Sequence, residues 1–97
     1  MNYSIQFPKI ALRIIREQEL IIGPLAWNEA RKVSGLQIIN SEKEEVSFQN
    51  DDPKNTIDKL VFQYERIFGR ASHIACRNAV QDLVAEMSPD EIPSSLK

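Results

Sequence analysis

His73 and Cys76 are the only imidazole and the only thiol in this chain. His73 could act as a general base or a pH switch. Cys76, three positions on along a helical pattern, could act as a nucleophile if its thiolate were favoured. Catalysis needs an oriented constellation, however. No second His is present, and neither Ser nor Cys stands in evident partnership with this one. A thiol inside an alanine-rich stripe reads as a small core residue, and His73, at the edge of the same apolar face, reads as a polar core group. One Cys excludes an intrachain disulfide framework and a cysteine-rich zinc site, and with one His neither an HExxH nor a Cys2His2 pattern exists. The expectation is a non-enzyme: no catalytic residue, no metal ligand and no cofactor.

Phosphate recognition is the second chemistry to weigh. Lys9, Arg13 and Arg16 lie on the outer side of the first helical pattern, followed by Arg31-Lys32 and by Arg66, Arg70 and Arg77. Such cations could form a nucleic-acid patch. Glu17, Glu19, Glu29 and Glu65 are interspersed with them, as on a solvated helix face. With 12 Lys+Arg against 14 Asp+Glu the formal charge is −2, without the basic excess of a general nucleic-acid binder. Acid is concentrated in Glu42-Lys43-Glu44-Glu45 and Asp51-Asp52, and would repel DNA if this segment served as a wing. Nucleic acid is a possible partner but not the favoured one.

These residues need a scaffold, and 97 residues suffice for one domain. Phe7, Ile10, Ala11, Ile14, Ile15, Gln18, Ile21 and Ile22 share one face of a helix from about Pro8 to Ile22. Gly23-Pro24 breaks it and starts a second helix of small packing residues (Ala26, Ala30, Val33), ended by Ser34-Gly35. Asp52-Pro53 has the form of an N-cap followed by Pro at the first helical position. It opens a third helix to Phe68, with Ile57, Leu60, Val61, Tyr64, Ile67 and Phe68 as its stripe. After Gly69 a fourth helix is predicted from Arg70 to Met87. Ser88-Pro89-Asp90-Glu91 has the form of a capping box, and SSLK reads as a loose end. Between the helix pairs, Leu36 to Gln49 alternates with period two. With Ile38 opposite Val46 and Leu36 opposite Phe48 it forms a hairpin whose glycine-free turn needs a 3–5-residue loop. A partly ordered acidic loop is the alternative.

An internal repeat at an offset of 46 residues organises the rest. Ala11, Ile14, Ile15, Gln18, Ile21 and Ile22 fall on Ile57, Leu60, Val61, Tyr64, Ile67 and Phe68. Glu19 falls on Glu65, Gly23 on Gly69, Trp27 on His73, Ala30 on Cys76 and Arg31 on Arg77. Each unit has a wide apolar face that it cannot bury alone. The expected fold is therefore mainly α: a compact bundle of two helix-Gly-helix units, face to face about a pseudo-two-fold axis, with a possible short β-hairpin between them. Residues 1–88 would form the single helical domain (repeat about 8–34 and 54–80), with 89–97 a short C-terminal tail. Gln18, Tyr64 and His73 are the candidate polar core, since a buried amide needs partners and such a group can fix register. Leu12, Leu20, Ile39 and Phe62 fall outside the main stripes and are candidate interface residues. Trp27 joins them, as either a cover for a core edge or an interface anchor.

Around Ile21-Ile22-Gly23-Pro24-Leu25-Ala26 the chain resembles small helical modules with an I-G-P-[I/L]-A step attached to bacterial signalling proteins. The resemblance implies a regulatory or protein-binding role and carries over no catalytic residues. The same stretch resembles a helix-hairpin-helix DNA-binding motif, but Gly-Pro removes a backbone N–H that such a loop offers to phosphate. The first nine residues, MNYSIQFPK, lack a secretory signal pattern, and no apolar run reaches the ~18 residues that span a bilayer. The expectation is a cytoplasmic protein with no membrane span, a non-enzymatic interaction or regulatory adaptor module that self-associates as a homodimer. The alternative is a nucleic-acid-binding transcriptional regulator using a helix plus the hairpin.

Overall fold

The computed structural model describes residues 6–49 and 51–97. The reading of residues 1–5 lies outside the described residues. The order is α1 (Gln6–Ile22), α2 (Leu25–Ala30), β1 (Leu36–Asn40), β2 (Glu45–Phe48), α3 (Pro53–Phe68), α4 (Arg70–Ala79) and α5 (Gln81–Val84). Two 3-10 turns follow, Pro89–Glu91 and Ser94–Leu96. The protein is mainly α, with one small antiparallel hairpin between the two helix pairs.

The two units end their long helices in the same way. Gly23 has φ 70° and its N–H donates to the Glu19 carbonyl at 2.8 Å; Gly69 has φ 89° and its N–H donates to the Glu65 carbonyl at 2.8 Å. A positive φ is cheap only for glycine, so the paired glycines fix where each chain reversal occurs. At the start of α3, Asp52 Oδ1 accepts from Asn55 N at 3.2 Å, and Pro53 holds the first position, where its missing N–H costs nothing.

Burial follows the offset of 46 residues. Ala11 and Ile57, Ile14 and Leu60, Ile15 and Val61, Gln18 and Tyr64, and Ala30 and Cys76 are pairwise fully buried. Helix α1 packs on α2, α3 and α4, while α3 also packs on α2 and α4. The core thus lies between the units. Ile21 and Ile67, assigned by their spacing to the buried stripe, are both exposed. They sit in the last turn before each glycine, where Ile22 and Phe68 rather than Ile21 and Ile67 pack on the core.

The hairpin pairs Leu36 with Phe48, Gln37 with Ser47 and Ile38 with Val46, then skips Ile39 to pair Asn40 with Glu45. The connecting loop is Ser41–Glu44, with Asn40 Oδ1 accepting from Lys43 N at 3.1 Å. Leu36, Ile38, Val46 and Phe48 pack on the core, and β2 lies against α1. Arg16 reaches Glu44 at 3.4 Å, tying the loop to the same helix.

Two expectations are corrected. The predicted helix from Arg70 to Met87 is broken at Val80 (φ −120°, ψ 12°). The Ala79 carbonyl just before the break accepts from Arg13 Nη1 at 3.2 Å, and Arg13 also pairs with Asp82 at 2.9 Å. A guanidinium from α1 therefore supplies a partner to a carbonyl at the α4 end, which periodicity along one segment cannot reveal. Residues 89–97 are also not a loose end. The capping box at Ser88 and Glu91 forms, and the chain then docks, with Pro93, Ser95 and Leu96 buried. Asp58 Oδ1 accepts from Ser95 N (3.0 Å) and Ser95 Oγ (2.6 Å), and its Oδ2 accepts from Ser94 Oγ (3.0 Å). The anchor is a carboxylate on α3, far away in sequence.

Candidate functional site

The polar core is built from the repeat. Gln18 Nε2 donates to the Ser72 carbonyl at 3.1 Å, and Tyr64 Oη donates to the Ala26 carbonyl at 2.6 Å. Gln18 is the counterpart of Tyr64, and Ala26 is the counterpart of Ser72. Each unit thus extends one side chain from the middle of its long helix to the same carbonyl in the first turn of the other unit's second helix. The two bonds are reciprocal between the units but are not equally complete. The Tyr64 hydroxyl is satisfied, and burial raises its pKa. Gln18 Nε2 also approaches Cys76 Sγ (3.4 Å), but Gln18 Oε1 has no hydrogen-bond partner among the described residues.

Cys76 is fully buried, and burial pushes its thiol up to about 12, against a smaller lowering by the Gln18 amide. At pH 8 this leaves a thiolate fraction of about one in 10⁴. A disulfide-exchange reagent should modify native Cys76 only through opening of the fold and should react at once in guanidinium. The time course of thionitrobenzoate release with and without denaturant measures this, and rapid native labelling would contradict the packing.

His73 is also committed to structure. Its Nε2 donates to the Ser95 carbonyl at 2.6 Å and its Nδ1 lies 3.1 Å from Glu65 Oε1, so the ring links α3, α4 and the docked C-terminal segment. Gln18, Tyr64 and His73 therefore lie at the seams between elements. Among the described residues, no three His, Cys, Asp or Glu side chains gather as metal ligands would.

The five candidate interface residues separate. Trp27 is 6% exposed and belongs to the core, and Leu12 is partly buried against it. Their side chains are therefore removed from the candidate surface: Trp27 covers the core edge, and Leu12 sits beside α1's buried stripe. Leu20 (82%), Ile39 (56%) and Phe62 (49%) remain well exposed. Sequence reasoning missed Ile21 and Leu25, which join Leu20 around the Gly23 turn, as well as Ile67 and Ile74 on the second unit. The available signal was the unbroken Leu20-Ile21-Ile22 run before Gly23, because three consecutive positions sweep about 200° of a helix and cannot all face one core.

A shallow groove of about 280 Å³ runs between α3 and the turn after α2. Val33 and Phe62 are its apolar lining, and Lys32, Lys59 and Arg66 its cations. A hydrogen-bonded chain holds this wall. Lys32 Nζ donates to Glu29 Oε2 (3.1 Å), Gln63 Nε2 donates to Glu29 Oε1 (2.7 Å), and Arg66 Nη2 donates to Gln63 Oε1 (3.0 Å). The amide of Gln63 and then the ammonium of Lys32 hold the Glu29 carboxyl below its ordinary pKa.

Among the described residues no helix is long and apolar enough to cross a membrane. No protein-family model, no curated protein and no solved structure matches this chain.

Proposed function

We propose that this chain is a non-enzymatic protein–protein interaction or regulatory adaptor module that self-associates and works in the cytoplasm. The observation that carries the reading is the apolar corner at the first Gly turn, where Leu20, Ile21 and Leu25 stand exposed within six residues of one another. Contiguous exposed apolar residues mark interaction sites far more often than isolated ones do. The two side chains best suited to catalysis support the same reading. The Cys76 thiol is buried with a raised pKa, and both ring nitrogens of His73 are engaged within the fold. The resemblance of the Ile-Gly-Pro-Leu-Ala step to modules on bacterial signalling proteins fits an adaptor. A DNA-reading wing fits less well, because the loop of the hairpin carries Glu42 and Glu44 and is tied to Arg16.

Affinity capture from the native host with the tagged full chain tests this. A specific partner should be retained, and Leu20→Gln with Ile21→Gln should reduce its capture at least about tenfold while lowering the melting temperature by only a few degrees, because both side chains largely face water and Gln is a good helix former. Capture that is indifferent to this change would remove the corner as the docking surface. A mobility shift that weakens steeply with salt would favour the nucleic-acid regulator instead.

A further inference from the structure

The groove beside Phe62 and the tip of the hairpin are opposite in charge, and each has an apolar centre. On α3, Lys59 and Arg66 are two turns apart, about 10.5 Å along the axis, with half-exposed Phe62 between them. Lys59 has no partner among the described residues, whereas Lys32 is held by Glu29. At about 280 Å³ the groove falls just below the usual small-molecule range and suits one branched apolar side chain. The hairpin tip offers such a side chain. The bulge between Ile38 and Asn40 leaves Ile39 out of the ladder and 56% exposed. Exposed Glu45, paired with Asn40, and exposed Glu42 in the loop stand near it.

We propose that the hairpin tip of a second copy of this chain docks in the groove. Ile39 of one copy seats on Phe62 and Val33 of the other, and Glu42 and Glu45 face Lys59 and Arg66. The inference deepens the self-association in the proposed function and rests on it. Exposed ion pairs add little each and are screened by salt. The apolar contact therefore supplies most of the affinity, and the charges set orientation and partner choice. A phosphate backbone is the poorer occupant, because the Glu29 carboxylate lies directly beside Lys32 and the groove floor is apolar.

Charge reversal in the full chain tests the contact, read by sedimentation equilibrium over concentrations up to about 1 mM, where weak pairs are populated. Lys59→Glu with Arg66→Glu places acid against acid, and Glu42→Lys with Glu45→Lys places base against base. Each pair should weaken self-association at least about tenfold. Mixing the two variants matches every groove with a tip of opposite charge and should restore association to near the parent level. All four side chains are exposed and only Arg66 gives up a hydrogen bond, the one to Gln63, so circular dichroism melts should shift by no more than a few degrees. Phe62→Ala and Ile39→Ser should each weaken association at high salt as well as low. The proposal is overturned if the mixture associates no more tightly than either variant alone, or if a single-stranded oligonucleotide occupies the groove more tightly than a second copy does. Association of the parent that ignores both reversals would overturn this contact and leave the self-associating reading intact. A strictly monomeric parent would overturn both, with capture through the Leu20 corner remaining a separate result.

Discussion

Gln18→Glu is expected to cost the fold about 3–5 kcal/mol at neutral pH, the largest effect of any single polar change in the core. Position 18 is fully buried, and its side-chain donor faces the Ser72 carbonyl and the Cys76 sulfur. A carboxylate there exchanges a donor for a second acceptor and brings an unpaired charge out of water. Burial raises the folded-state pKa of such a carboxyl above its unfolded value of about 4.3. The penalty is thus absent below the unfolded pKa, grows as pH rises through the window between the two values, and is complete above the folded one. Denaturant titrations at pH 4 and pH 8 should show the variant recovering in acid relative to the parent.

Gln18→Leu should behave oppositely, staying within about 1 kcal/mol of the parent or exceeding it, because it removes an orphaned carbonyl along with the donor. Tyr64→Phe, at the equivalent place in the other unit, should lose about 1–2 kcal/mol, because its hydroxyl is fully used at 2.6 Å. The contrast between two positions related by the repeat is the informative quantity. A loss above about 3 kcal/mol for Gln18→Leu would mean that the amide holds the two units together more strongly than its half-satisfied state implies.

Asp58→Ala should destabilise by about 2–3 kcal/mol, since three charge-assisted bonds disappear together and the Ser95 N–H loses its carboxylate partner while Ser95 itself is buried. Asp58→Asn keeps an acceptor and should lose roughly half as much. The same change should release the C-terminal segment. Leu96 leaves the core, the Ser95 carbonyl leaves His73, and the amides from 94 to 97 exchange faster with solvent than the amides of α3. Hydrogen exchange followed by residue separates this local release from global loosening. Unaltered protection at residues 94–97 would show that Leu96 burial alone holds the segment. Phe62 and the His73 ring lie nearly perpendicular, with centroids 6.2 Å apart, so the ring that holds the Ser95 carbonyl also touches the groove wall.

Much of the architecture is legible in residue order, for reasons that can be named. The glycines at 23 and 69, the N-cap at Asp52-Pro53 and the capping box at Ser88 are local devices whose chemistry needs only a few neighbouring residues. The hairpin register follows from alternation, which placed Ile38 opposite Val46 and Leu36 opposite Phe48. The candidate site is less legible. Leu20, Ile39 and Phe62 emerge as exposed, but Trp27 and Leu12 do not, because exposure depends on what neighbouring elements cover. Trp27 lies under contacts that no helical wheel records. The groove wall joins Lys32 on one side to Gln63 and Arg66 on α3 through the buried Glu29, and no spacing in the chain signals it.

By itself, the sequence determined that two similar helical units must share one core, because each has a wide apolar face and neither has enough chain to bury it alone. It also determined where each unit turns, because left-handed backbone at 23 and 69 is cheap only for glycine. Tertiary structure alone decided the break at Val80, where Arg13 reaches the Ala79 carbonyl, and the docking of residues 93–97 on Asp58. It likewise decided which apolar side chains stayed in water. Helix periodicity repeats every few residues, whereas these outcomes depend on partners tens of residues away, and their positions exist only once the two units have packed.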